Sequence, residues 1–399
     1  MPAATATDVV EGDTCNVTVT GEQTDAGSHT ATAKALSNAN YALPEANTQA
    51  FTIEARPVIV KARSASKVYG KKDPKLTAKV SGLADGESAE LIRYALTREA
   101  GEDAGEYAIT AGGDAVQGNY IVTYQGAALT IREKTVRSPK VKVRVTGLTY
   151  DGRAKQPAVT VTAGKTVIPA GEYKVVYSDN VLPGEATVTV SDVPGGNYAV
   201  GEASTTFPIA KSVFALTAKA EGKNALAYVW DKASGAQGYD LYFSRCGSNG
   251  KKELYKTVKA SKQSLTVTGL KSGVSYKAKV KAWRKVNGKK VYLAASPMVH
   301  TYTGGRSKHH TNGKSLKVNV KRLTLKVGKT GKIVAKVRKL YPKLTLNAHV
   351  KSLRYFSTDK SVARVNGTGT ITAKGKGTCR IIVVTPDGIS RKIRVTVRE

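Results

Sequence analysis

The scarcest side chains able to do chemistry in the 399 residues are five histidines and three cysteines. His29, His300, His309, His310 and His349 show neither a metalloprotease helix nor the spacing of a nucleophile–base–acid triad. His309-His310 supplies two adjacent imidazoles with no further ligand, which makes a poor metal site. Cys15, Cys246 and Cys379 lie far apart, so no disulfide framework is available. Cys15 and Cys379 fall on apparent inward strand positions and read as small buried apolar residues. Cys246 sits in a Gly/Ser/Asn loop, where exposure and an intermolecular disulfide are expected. Gly313-Lys314-Ser315 ends like a phosphate loop, but Lys308 stands where the first glycine is needed and no helix follows. Carboxylates at Asp85-Gly86 and Asp179-Asn180 sit on turns, without the dense Asp/Asn loop of a calcium site. No catalytic residue, no metal and no cofactor is therefore expected. A self-made Lys–Asn amide cross-link is left open.

What remains is charge. With 63 Lys+Arg against 30 Asp+Glu the chain carries +33, unevenly placed. Residues 1–135 hold −4, residues 136–211 hold +3, residues 212–303 hold +13 and residues 304–399 hold +21. A partner recruited by charge thus belongs to the C-terminal half. The competing reading is that these lysines are solvated strand faces that confer solubility. Within 275–283, Tyr276, Ala278, Val280 and Ala282 alternate inward while Lys277, Lys279, Lys281 and Trp283 alternate outward. An Asn287-Gly288 hairpin turn returns a strand with Lys289, Lys290 and Tyr292. Lysines around a tryptophan could stack on a sugar or grip an anionic chain. Trp283 could equally pack across the hairpin on Tyr292 and lysine stems. Near the end Lys392, Arg394 and Arg398 alternate with Ile393, Val395 and Val397. A row of like charges on one face is costly, and an anionic partner would relieve it. The candidate binding residues are Lys277, Lys279, Lys281, Trp283, Lys289, Tyr292, Lys392, Arg394 and Arg398.

The elements that must position them are strands. An internal repeat is marked by Asn40-Tyr41, Asn119-Tyr120 and Asn197-Tyr198, with the tyrosines 79 and 78 residues apart. Each is preceded by a glycine turn, at Asp25-Ala26-Gly27, Asp103-Ala104-Gly105 and Leu182-Pro183-Gly184. Each is followed by an apolar strand, at Phe51-Thr52-Ile53, Leu129-Thr130-Ile131 and Phe207-Pro208-Ile209. Gly and Asn at these strand ends are read as suppliers of positive φ. Tyr69-Gly70 and Tyr150-Asp151-Gly152 open the second and third repeats. The matching front of the first would precede residue 1, so residues 1–56 are expected to form an incomplete sandwich with an uncovered edge.

Lys67-Val68-Tyr69-Gly70, Asp73-Pro74, Val80-Ser81-Gly82-Leu83, Leu96-Thr97-Arg98-Glu99-Ala100-Gly101-Glu102 and Gly105-Glu106-Tyr107 resemble the MBG-type β domains of bacterial surface proteins. The third repeat resembles them more loosely and lacks the Arg-Glu-Ala-Gly-Glu run. Residues 212–303 read as a fibronectin type III sandwich, with Leu270 six residues before Tyr276 in the pattern of its tyrosine corner. Residues 314–399 resemble a bacterial Ig-like group 2 domain of the intimin/invasin kind. The matching runs are Leu323-Thr324-Leu325-Lys326-Val327-Gly328, Ser357-Thr358-Asp359-Lys360-Ser361-Val362 and Gly369-Thr370-Ile371-Thr372-Ala373. Tyr355 or Phe356 stands where that family often has a tryptophan.

The expected fold is all-β, an elongated array of tandem Ig-like and fibronectin III-like sandwiches. Its divisions are a truncated MBG-type repeat (1–56), two further MBG-type repeats (57–134 and the divergent 135–211), the fibronectin type III domain (212–303), a polar flexible linker (304–313) and the group 2 domain (314–399). The resemblance implies a non-catalytic stalk or adhesin fragment, extracellular or on the surface of a Gram-positive-type bacterium. Its basic C-terminal pair would contact an anionic cell-wall polymer, a host glycan or a surface protein. The alternative is the accessory tail of a secreted hydrolase with its catalytic domain upstream. Charge permits nucleic acid, but no recognition module for it is present, so no specific nucleic-acid partner is expected. Met1-Pro2-Ala3-Ala4-Thr5 has neither the basic start nor the apolar run of a signal peptide. No apolar stretch approaches the ~20 residues of a membrane helix. The sequence does not set an oligomeric state.

Overall fold

The computed structural model describes residues 2–144, 147–247, 253–347 and 353–399; His349 lies outside them. All regular structure is β apart from three short 3-10 turns. The chain divides into two units, one of residues 1–136 with 192–199 and one of 137–191 with 200–399.

The first unit opens with one antiparallel sheet of Val17–Thr20, Gly27–Leu36 and Thr48–Ile53. No described residue before Val58 is buried. Alternation along Val17–Thr20 has given the sheet two faces, but no second sheet covers either. The next repeat is a complete two-sheet sandwich. One sheet runs Ala78–Ser81, Arg56–Ala62, Tyr120–Gln125, Val116–Gln117, and the other Ala65–Val68, Ala127–Arg132, Gly105–Gly112, Ala95–Arg98. Val58, Val60, Ile109, Val122, Leu129 and Ile131 close its core from alternate positions of these strands.

The repeat-marking asparagines behave otherwise than expected. Positive φ among the described non-glycine residues falls at Asp8, Ser138, Asp179 and Asn287, the last in the Asn-Gly hairpin. Asn119 and Asn197 keep ordinary backbone and use their side chains. Asn119 Oδ1 accepts from the Ala26 N–H at 2.7 Å while its Nδ2 donates to Asp25 Oδ1 at 3.2 Å. Asn197 does the same to Ala104 (2.7 Å) and Asp103 (2.9 Å). Their carbonyls accept from Arg56 and Lys134, and in each case a parallel strand pair begins there. Each asparagine therefore clasps the Asp-Ala step of the preceding repeat. At the aligned step of the third repeat stand Leu182 and Pro183, which offer neither a carboxylate nor an N–H.

In the second unit residues 140–191 and 200–209 form two three-stranded sheets. Their full strands are Lys140–Val143, Val159–Ala163, Thr166–Ile168 and Tyr173–Ser178, Gly184–Asp192, Ala203–Ile209. Their core of Ala186, Val188, Phe207 and Ile209 also takes in Leu293 of the following sandwich. That sandwich sets Leu216–Glu221, Ala225–Trp230 and Ser264–Val267 against a sheet containing Gly238–Arg245, Glu253–Lys259, Ser275–Val286 and Lys289–Ala295. Tyr276 OH accepts from the Lys271 N–H at 3.1 Å, a phenol-to-backbone bond at the corner marked by Leu270.

The last sandwich sets a sheet of Arg322–Lys326, Ser390–Arg398, Gly377–Val384 and Arg354–Ser357 against Thr330–Lys332, Thr370–Ala373 and Ala363–Val365. Cys379 lies in its core, where burial pushes the thiol up to about 11. The stretch 304–313, expected as a flexible linker, is built into the fold. Thr311 and Asn312 are buried, and Tyr302 and Asn312 exchange two hydrogen bonds, at 3.0 and 2.9 Å. Polar composition misleads here because these polar groups satisfy one another internally. The final hairpin is a contact as well as a turn. Pro386 accepts from the His300 N–H, and a Cβ on Gly388 would stand 3.0 Å from Leu216 O and Ala218 N.

Candidate functional site

The nine candidate residues fall on two sheets of the second unit. Lys277, Lys279, Lys281 and Trp283 point away from the buried row of Tyr276, Ala278, Val280 and Ala282, and all four are half-buried rather than open. The cause is Asp240, on the neighbouring strand, whose exposure is only 1% although it too faces away from the core. Its carboxylate accepts from Thr257 Oγ1 (2.7 Å), Trp283 Nε1 (2.9 Å), Tyr292 OH (2.9 Å) and Lys290 Nζ (3.1 Å). Burial pushes the Asp240 carboxyl up, but these donors together hold it below the usual range. Tyr292 is shifted upward, by burial first and then by its bonds to Tyr242 and Asp240.

The aromatic faces around this carboxylate are taken by the protein's own cations. Lys290 Nζ lies 4.5 Å from the Trp283 ring centroid, and Lys281 Nζ lies 4.3 and 4.9 Å from those of Tyr242 and Tyr292. On its other side Trp283 presses on Gly238, where a Cβ would come within 2.4 Å of the ring. The hairpin thus carries a second small core on its outer face, organised by one carboxylate. Lys289 remains exposed at the hairpin tip. Sequence reading missed Asp240, and its signal was the single acidic residue inside Gly238-Tyr239-Asp240-Leu241-Tyr242-Phe243.

Lys392, Arg394 and Arg398 lie on Ser390–Arg398 with Ile393, Val395 and Val397 buried between them. Lys392 pairs with Asp231 at 2.5 Å. Arg394 stands opposite Arg322 on one neighbouring strand and Arg380 on the other, and Arg398 stands opposite Lys326. All six of these residues, Lys392 included, are exposed. Among the described residues none of Arg322, Arg394, Arg380, Lys326 and Arg398 forms a salt bridge. Arg322 and Arg380 were not foreseen, because their register against Arg394 comes from strand pairing and not from local spacing.

A contrasting cluster sits in the first unit. Lys67 Nζ bonds Asp73 (2.6 Å) and Glu102 (2.5 Å), and Arg98 bonds the same two carboxylates at 2.7 and 2.5 Å. Hydrogen bonds to Asp73 and then Glu102 push the Lys67 ammonium up, and the cations hold both carboxyls down. An amide cross-link needs a neutral amine and a neutral acid, so this arrangement disfavours one at Lys67.

Cys246, expected to be exposed, is half-buried with Sγ 3.3 Å from His300 Nδ1 and accepting from Ser275 Oγ at 3.3 Å; burial pushes its thiol up. No three His, Cys, Asp or Glu residues gather as a metal site among the described residues. Among them, too, no helix is long and apolar enough to cross a membrane.

Residues 58–130 match the model of the MBG domain (YGX type), and residues 314–397 that of the bacterial Ig-like domain (group 2). No curated protein matches the chain. Among solved structures, titin domains A168–A170 align at 13% identity and a TM-score of 0.20, over 61% of this chain and 97% of theirs. Domains of the two matched kinds are typically non-catalytic, and bacterial Ig-like domains are typical of surface proteins. The chain thus carries an MBG domain and a bacterial Ig-like domain of group 2, a combination that fits a surface or adhesin-type fragment.

Proposed function

We propose that the chain is a non-catalytic stretch of an extracellular bacterial surface protein. In this reading residues 1–211 act as a spacer, and the basic pair 212–303 and 314–399 contacts an anionic cell-wall polymer or host glycan. Residues 212–303 are read as a fibronectin type III domain, supported by their three-stranded and six-stranded sheets and by the Tyr276 corner bond. The observation that carries the binding proposal is the exposed cross-strand row Arg322–Arg394–Arg380, none of which forms a salt bridge among the described residues. A row of fixed cations attracts a polyanion by releasing its counterions, with little demand on sequence or shape. Trp283 adds no stacking platform in this reading, because its ring is engaged with Asp240, Lys290 and Gly238.

The test is retention of the full chain on purified bacterial cell walls before and after their anionic polymers are extracted. Retention that falls on extraction, and falls further for Arg322→Glu/Arg394→Glu, is expected. Equal retention on stripped walls, or none on intact ones, contradicts the proposal.

A further inference from the structure

The second unit contains two clefts that differ in how far their cations are balanced. One, of about 790 Å³, is bordered by Lys232, Arg380, Lys392 and Arg394 but also by Asp151, Asp231 and Asp359. Part of its positive charge is spent internally in the Lys392–Asp231 pair. The other, of about 1050 Å³, is bordered by Lys223, Arg306, Lys308 and Lys343, and among the described residues no carboxylate lines it. All four cations are exposed, and none forms a salt bridge among the described residues.

We propose that this second cleft is the subsite that receives the anionic groups of a glycan or polyol chain, bearing phosphate or carboxylate. The proposal rests on the polymer-binding reading above and places its main contact away from the arginine row. Four cations converge on one concavity at a cost in mutual repulsion that a polyanion removes. The volume lies at the upper end of small-ligand pockets, and the cleft is walled by exposed side chains, which suits a segment of a chain better than an enclosed small molecule. Tyr341 borders it with Arg306 lying 4.8 Å from its ring centroid, so the guanidinium is held in place while its N–H groups stay available. Ser272 and Ser307 add hydroxyls able to bond anion or sugar oxygens.

The walls are fixed before any ligand arrives. On one side Thr303 is fully buried, and its Oγ1 donates to Lys271 O at 2.7 Å. On the other the Tyr341 N–H donates to Thr311 Oγ1 (3.2 Å), and Lys339 Nζ donates to Leu344 O (2.7 Å). Gly305, at φ 78°, lets the walls meet, since a Cβ there would stand 2.6 Å from Leu340 Cδ2. A preformed site loses little entropy on binding. The packed stretch 304–313 is what brings the two walls together, so a connector that looks inert by composition builds the cleft.

The experiment titrates the full chain with poly(glycerol phosphate) and, separately, with a polyuronate, by calorimetry at low salt. Lys223→Glu/Lys343→Glu is compared with the charge-matched control Lys329→Glu/Lys374→Glu, four exposed positions whose urea unfolding should match the unaltered chain. At least a tenfold loss of affinity in the cleft variant, with under threefold in the control, is expected. The polymer showing that loss identifies phosphate or carboxylate as the preferred anion. Equal losses in the two variants overturn the subsite and leave the broader polymer reading standing. No binding of either polymer by the unaltered chain overturns both.

Discussion

Lys67 and Arg98 in the first unit and Arg322, Arg394 and Arg380 in the second are cations of equal strength put to opposite use. The first two share two carboxylates at 2.5–2.7 Å, and Lys67 is nearly inaccessible. The arginines stand in cross-strand register, exposed, and form no salt bridge among the described residues. The difference teaches that Lys67 and Arg98 of the MBG-type repeat are consumed by its own fold, whereas the arginine row of the terminal domain is left to the outside. Asp240 is the exception that sharpens this, since it organises the cations of its hairpin as Asp73 and Glu102 organise theirs.

The comparison can be broken most forcefully at that exception. Asp240→Ala strands the Trp283 indole N–H, two hydroxyls and an ammonium without their shared acceptor. A loss of about 2–3 kcal/mol is expected, because buried donors lose their shared acceptor while the exposed Lys290 ammonium can turn to water. Urea unfolding followed by tryptophan fluorescence reads it directly. In the first unit, Lys67→Met should destabilise clearly and make folding less acid-sensitive. Asp73 and Glu102 titrate below their ordinary values of 3.8 and 4.5 in the folded chain. Their stabilisation is therefore complete above those values and lost as the pH falls through the lowered ones. Unfolding midpoints measured between pH 6 and pH 2, with Asp73→Asn for comparison, should show that acid limb shrink in the variant. If the arginine row is truly uncompensated, Arg394→Gln behaves in the opposite way. Relief of cross-strand repulsion should leave stability unchanged or raise it by up to about 1 kcal/mol. A clear loss would mean that the row has internal partners after all. A comparably small effect, a loss of about 1 kcal/mol, is expected for Asn119→Ala, which removes one part-buried and one exposed hydrogen bond, with faster amide exchange at Ala26 and unchanged exchange at Ala104.

Much of the scaffold was legible because strand burial has period two. Tyr276, Ala278, Val280 and Ala282 declare an inward face by themselves, as do Ile393, Val395 and Val397. Non-local contacts were not legible. The asparagines were visible as repeat marks, but their partners lie 93 and 94 residues away, so a local turn role was inferred instead of a clasp. Asp240 meets Trp283, Lys290 and Tyr292 at separations of 43, 50 and 52 residues, which no window along the chain contains. Composition failed for 304–313 for the same reason: Thr311 and Asn312 are polar residues buried by long-range pairing.

The central claim, that the terminal half leaves its charge for a polyanion, is tested most directly by salt. The affinity of the full chain for an anionic wall polymer should be measured across an ionic-strength series from about 50 to 500 mM. Counterion release predicts a linear fall of log K with log salt, with a slope corresponding to several ions that becomes shallower in Lys223→Glu/Lys343→Glu. An affinity indifferent to salt would contradict it, and a slope the same in both proteins would move the contact away from the cleft.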